Sequence, residues 1–184
     1  MIQITYTFMV FLISVIWIFV RILVWKRNND INWKREMQLV LVYICLVVVA
    51  RFVFFPFSKV NGMIQPLIFD SDKMLPFRIN LVPLVHLFDY IITGEAWLNL
   101  IGNTAMFVPI GIIWPVAYKE LNTHKKVVAA GVGFSLLIEI LQLPFYDRVT
   151  DIDDLIMNST GFILGYIIYL ITRKCLGGNR NGKK

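Results

Sequence analysis

Charge is scarce in this chain. Asp, Glu, Lys and Arg make up 16% of its 184 residues and hydrophobic residues 58%, whereas a soluble globular domain carries about 25% charged residues. Ordinary water-facing architecture is thereby excluded. Cysteine is nearly absent as well: Cys45 lies inside an apolar run and Cys175 near the end of the chain, a placement that suggests neither a disulfide framework nor a metal cluster. The two histidines, His86 and His124, stand alone, without the spacing of metal ligands. No HExxH, no Ser-His-Asp ordering and no cysteine nucleophile is present. Internal repeats are missing too, which argues against a typical secondary transporter. Alternating strands of about 10 residues, the mark of a membrane β-barrel, do not occur.

What the chain has is long apolar runs, near residues 4–25, 36–55, 97–118, 126–145 and 155–172. Each approaches the roughly 20 residues a helix needs to cross a hydrocarbon core of about 30 Å, and lipid leaves few alternatives because backbone groups there must be satisfied internally. The expected fold is an all-α integral membrane protein with five transmembrane helices, forming a single membrane domain over residues 1–184. The first run lacks a basic start and a small-residue cleavage site, so it reads as a retained span and not as a signal peptide.

Basic residues set the expected orientation. Lys26, Arg27, Lys34 and Arg35 follow the first run, Lys119, Lys125 and Lys126 the third, and Arg173, Lys174, Arg180, Lys183 and Lys184 the fifth. The alternate loops hold only Lys59, Lys73, Arg78 and Arg148. The positive-inside rule then puts the N-terminus outside and the C-terminus in the cytoplasm, with residues 175–184 as a flexible basic tail. The net charge of +6 fits orientation and attraction to anionic lipid; no basic groove interleaved with aromatics points to nucleic acid. The longest connection, residues 56–96, includes RINLVPLVHLFDYIITGEAWL, with His86, Asp89 and Thr93 near one side. An interfacial helix in the outer leaflet suits that stretch, because Pro83 and its charges would be costly at the bilayer centre. Trp97 then marks the level at which the chain returns to the membrane.

In this orientation the polar residues of the helices gather at the outer side. At about 100° per residue, three sets share helix faces with small residues: Asn99, Gly102 and Asn103; Gly131, Ser135, Glu139 and Gln142; and Asp154, Asn158, Gly161 and Gly165, with Asp151 continuing the last if its helix starts early. Polar residues turn from lipid and small ones let helices approach, so these three stripes are expected to meet. Plainer readings stand beside this one. Gly161 and Gly165 can be packing residues only, Pro109 and Gly111 can bend or break the third helix, and Asp151 or Asp154 can cap the fifth. Arg21 can snorkel, and His124 can be merely solvated. Glu139 is harder to dismiss, since a carboxylate in a membrane helix is costly unless paired, protonated or wetted; Arg51, Arg78 and Arg148 are its candidate ion-pair partners.

Four ordered blocks carry a resemblance: RINLVPL (Arg78, Asn80, Pro83), NLIGNTAMFVPIG (Asn99, Asn103, Phe107, Pro109, Gly111), SLLIEILQL (Glu139, Gln142) and RVTDIDDLIMNSTG (Arg148, Asp151, Asp154, Asn158, Gly161). Over about residues 78–166 the chain resembles the VanZ-like family of membrane proteins, although Leu84 stands where many relatives show Phe. The resemblance implies a bacterial cytoplasmic-membrane protein linked to low-level resistance to teicoplanin or related lipoglycopeptides.

Joined to the residues, this suggests an outer-leaflet polar pocket for an amphiphile, either the lipoglycopeptide or a lipid-linked wall precursor, with the membrane lipid as solvent and partner. Arg78 and Arg148 would clamp a phosphate or carboxylate. Asn80, Asn99, Asn103, Gln142 and Asn158 would orient the head, and Glu139, Asp151 and Asp154 would form an ionic core. Two alternatives stay open. One is an enzyme acting on a lipid-linked envelope precursor, with Glu139 and Asp151 or Asp154 as acid and base or as holders of a divalent cation. The other is a small transporter or a partner of a wall-assembly complex. No dedicated metal site or other cofactor is expected, and oligomeric state is left open.

Overall fold

Local caps, as much as hydrophobicity, decide where each helix starts. The computed structural model describes every residue except 1, 29–30, 56–58, 71, 73–74, 84–94, 146 and 179–184. Five helices are present: α1 (Tyr6–Asn28), α2 (Trp33–Phe54), α3 (Glu95–Ala117), α4 (His124–Gln142) and α5 (Ile152–Gly178). Helix α2 begins ahead of its apolar run because the Asn32 side chain accepts a hydrogen bond from the Arg35 N–H at 3.1 Å, satisfying one of the donors a helix start leaves over. Thr123 does the same for α4, accepting from the Lys126 N–H at 3.4 Å. Asp153 and Asp154 occupy the first turn of α5, where negative charge complements the helix dipole.

Four helices are long and apolar enough to cross a membrane: Tyr6–Asn28, Trp33–Phe54, Leu100–Ala117 and Ile152–Leu176. The 19-residue α4 falls outside that set because Lys125, Lys126 and Glu139 interrupt its apolar sequence. The bend or break expected at Pro109 does not end α3, which continues through both Pro109 and Pro115; membrane helices tolerate the lost N–H when neighbours satisfy the freed carbonyls. Of the expected interfacial helix, His86, Asp89 and Thr93 lie outside the described residues, and its start at Ile79–Asn80 is a β-strand. The last helix carries on to Gly178, so the first residues of the expected tail are helical.

Contacts divide the chain into two units, Met1–Leu81 with Ile138–Asp151, and Val82–Leu137 with Ile152–Lys184. In the first, α1 and α2 are joined by polar ties. The Arg21 guanidinium grips the Glu36 carboxylate, Nε donating to Oε2 at 2.9 Å and Nη2 to Oε1, and the Ser14 and Tyr43 hydroxyls lie 2.7 Å apart. Arg21 is therefore ion-paired and does not simply snorkel. Helix α1 has no buried residue, whereas α2 buries Leu39, Val42, Val49, Ala50, Val53 and Phe54, a helical spacing that marks its inner face.

The same unit holds short β-pairs, which add to the all-helical expectation. Strand β1 (Ile2–Ile4) pairs antiparallel with β4 (Leu67–Phe69), with Gln3 opposite Ile68. Strands β2 (Lys59–Val60) and β3 (Met63–Ile64) form a hairpin whose turn residues Asn61 and Gly62 both have positive φ, 50° and 77°, as a two-residue hairpin turn requires. Strand β5 (Ile79–Asn80) runs parallel to β6 (Thr150–Asp151). Phe55 and Leu67 are core residues here, and Phe54 meets Phe145 edge to face.

In the second unit α3 packs along α5. Phe107, Ile110, Val127 and Phe162 are fully buried, and Trp114 stacks its indole against both Phe134 and Phe162, with centroids 5.1 and 5.7 Å away. Between membrane helices such packing, not release of water, provides the attraction.

Candidate functional site

In the first unit the parallel register of β5 and β6 sets Asn80 opposite Asp151. Its Nδ2 donates to both carboxylate oxygens of Asp151, at 3.2 and 3.1 Å, while the Thr150 N–H donates to the Arg78 carbonyl at 2.9 Å. The strand also reaches the end of α4. Thr150 Oγ1 donates to the Glu139 carbonyl at 3.0 Å, and the Asp151 N–H donates to Glu139 Oε2 at 3.1 Å. Glu139 is only 3% exposed. A main-chain donor at its carboxylate offsets part of the cost of removing a charge from water.

One turn on, Gln142 is 4% exposed, and its Nε2 donates to the Val53 carbonyl at 3.0 Å. Arg148 donates to the Phe54 carbonyl from Nε at 3.1 Å and Nη2 at 2.6 Å, and Arg51 Nη1 donates to the Phe55 carbonyl at 3.2 Å. Three successive carbonyls at the end of α2, which no helical N–H can reach, are thus met by side chains. A carbonyl only accepts, so the Gln142 amide nitrogen must face Val53. Its Oε1 is thereby turned the other way, buried and without a hydrogen-bond partner.

In the second unit the Asn103 amide donates to Asp154 Oδ1, so the first and third polar stripes do meet. Below them the helices touch backbone to backbone. A Cβ on Gly161 would lie 2.0 Å from the Thr104 carbonyl oxygen, one on Gly165 2.0 Å from that of Val108, and one on Gly111 2.0 Å from that of Phe162. Gly131, from the second stripe, faces the Phe162 ring, 2.3 Å from where its own Cβ would be. These glycines are packing residues. Asn158, 2% exposed, and the fully buried Ser135 each keep one side-chain oxygen without a partner.

The expected residues therefore fall into two described sets. Asn80, Glu139, Gln142, Arg148 and Asp151 gather in the first unit, with Arg78 joined through its carbonyl; Asn103, Asp154 and Asn158 belong to the second. The side chain of Asn99 lies outside the described residues. Asp154 sits in the first turn of α5 while also accepting from Asn103, so the capping and clustering readings coexist there. Among the described residues no three His, Cys, Asp or Glu side chains group as metal ligands; Glu139 and Asp151 are the acidic pair of the first unit.

Sequence reading missed Thr150, although it sits inside the RVTDIDDLIMNSTG block, two residues past Arg148. It also missed Tyr166, whose hydroxyl lies 2.8 Å from His124 Nδ1. His124 is exposed yet partnered, and the signal was available: Asn158, Phe162 and Tyr166 recur every four residues on one face of α5.

Comparison with known proteins fits this geometry. A family profile described as VanZ/LLP1 matches residues 40–173. Protein VanZ of Enterococcus faecium is 36% identical over 76 residues, which is 41% of this chain and 47% of that protein. The match thus spans about half the length of that relative. No solved structure matches.

Proposed function

We propose, from the premise that this chain belongs to the VanZ/LLP1 family, that it lowers the susceptibility of a bacterium to teicoplanin-type lipoglycopeptides. It does so from the cytoplasmic membrane by holding the polar head of an amphiphile at the outer headgroup level while the tail stays in lipid. Helix α4 serves as the fifth span, its Lys125 and Lys126 reaching the inner headgroups and Glu139 sitting near the outer end. The N-terminus is then outside and the C-terminus inside.

One observation carries this reading: Glu139 and Gln142 are buried side by side, one helical turn apart, in a chain whose composition suits lipid. Both fall within the family match of residues 40–173. Intramembrane ionisable groups are costly and mark functional sites by default, and here the neighbouring strand is hydrogen-bonded to that group through its own backbone.

Expression in a susceptible host tests the proposal through inhibitory concentrations of teicoplanin and vancomycin. Wild type should raise the teicoplanin value well above that of the empty-vector control and shift vancomycin less, and Glu139→Gln should return teicoplanin toward the control. A well-expressed wild type that leaves teicoplanin inhibition unchanged would remove the resistance function.

A further inference from the structure

We infer that the Gln142 and Glu139 side chains form a hydrogen-bond-accepting seat for a protonated primary amine, not for a phosphate. This rests on the amphiphile-binding reading above and names the chemical class of the head that the first unit takes.

The inference follows from which atoms already have partners. Gln142 Nε2 is committed to the Val53 carbonyl, Asn80 Nδ2 to the Asp151 carboxylate, and the Asp151 N–H to Glu139 Oε2. Arg148, the obvious anion clamp, directs Nε and Nη2 at the Phe54 carbonyl. In this cluster the buried side-chain atom without a partner, among the described residues, is an acceptor, Gln142 Oε1. Its orientation is fixed, because exchanging the amide nitrogen and oxygen would set oxygen against the Val53 carbonyl.

Glu139 lies three residues earlier on the same helix, and side chains at that spacing are neighbours on one face. An incoming phosphate would oppose its oxygens to the oxygens of Gln142 and Glu139, and in a low-dielectric setting that repulsion is strong. A primary ammonium instead brings three N–H donors and a positive charge. It can donate to Gln142 Oε1 and to the Glu139 carboxylate, with the half-buried Asp151 carboxylate supplying a third acceptor.

The test uses the full chain in nanodiscs of zwitterionic phosphatidylcholine, with thermal unfolding followed by tryptophan fluorescence. Three probes of equal tail length are titrated: octylammonium, octyltrimethylammonium and octyl phosphate. Octylammonium should raise the melting temperature saturably and the other two should not, because trimethylammonium has the charge without N–H donors and phosphate has the wrong polarity. Gln142→Met should weaken octylammonium about tenfold, the scale of one lost hydrogen bond to a charged group. Should that variant fail to fold for want of its tie to Val53, Glu139→Gln provides the same reading with shape preserved.

An equal shift with octyltrimethylammonium would show attraction by charge alone and overturn the seat. A shift with octyl phosphate only would overturn the amine assignment while leaving amphiphile binding intact. No shift with any probe would overturn the seat as well, and the inhibitory concentrations would still report separately on resistance.

Discussion

Arg148 shows what a single side chain does at a helix end. With Nε and Nη2 both on the Phe54 carbonyl, one planar guanidinium makes a two-point contact that the rounder ammonium of lysine cannot copy. Arg148→Lys keeps the charge and loses that fork, so it should destabilise the protein by about 1–3 kcal/mol, the range for hydrogen bonds to charged groups. Unfolding in mild detergent measures it; an unchanged midpoint would mean that α2 does not need this cap. Glu139 was legible from sequence because a carboxylate in an apolar helix stands out. The N–H that binds it was not, since the direction of the Asp151 N–H depends on β6 pairing with β5, a contact between residues about seventy positions apart.

Helices α3 and α5 depend on the absence of side chains. Gly161 and Gly165 let the Thr104 and Val108 carbonyls approach to where a Cβ would stand 2.0 Å away, too close for any substitution without separating the helices. Close approach also favours weak Cα–H···O contacts and dense packing, which lipid cannot replace. Gly161→Ala and Gly165→Ala should each cost about 1–3 kcal/mol, as overpacking typically does. Gly133→Ala is the control: nothing lies within 4 Å of its Cβ position, so alanine should be neutral or stabilise by up to about 1 kcal/mol through helix propensity. Thermal melts of the three variants side by side decide the matter, and equal losses at all three would refute the packing account. The four-residue spacing of Gly161 and Gly165 made the packing role readable in advance. That Gly111 of α3 completes it from the other side was not readable, because the relative offset of two helices is set by ridge-and-groove fit and not by either sequence alone.

For the whole molecule, topology is the property to measure. If twelve basic residues face the cytoplasm and four do not, a reporter active only outside the cell should light when fused at the N-terminus and stay dark after Lys184, with a cytoplasmic reporter giving the reverse. The same sign at both ends would reject an odd number of spans and, with it, α4 as the fifth. By itself the sequence determined what depends on composition and local order: the membrane class, the apolar helices, their caps, the small-residue stripes and the family to which the four blocks belong. Those follow from how each segment partitions between lipid and water and from contacts a few residues apart. Tertiary structure alone decided that Asn80 reaches Asp151, that Gln142 and Arg148 close the end of α2, and that Arg21 pairs with Glu36. Each joins groups distant along the chain, and in a low-dielectric surrounding a polar group's partner is settled by which complementary group the packed helices bring within about 3 Å.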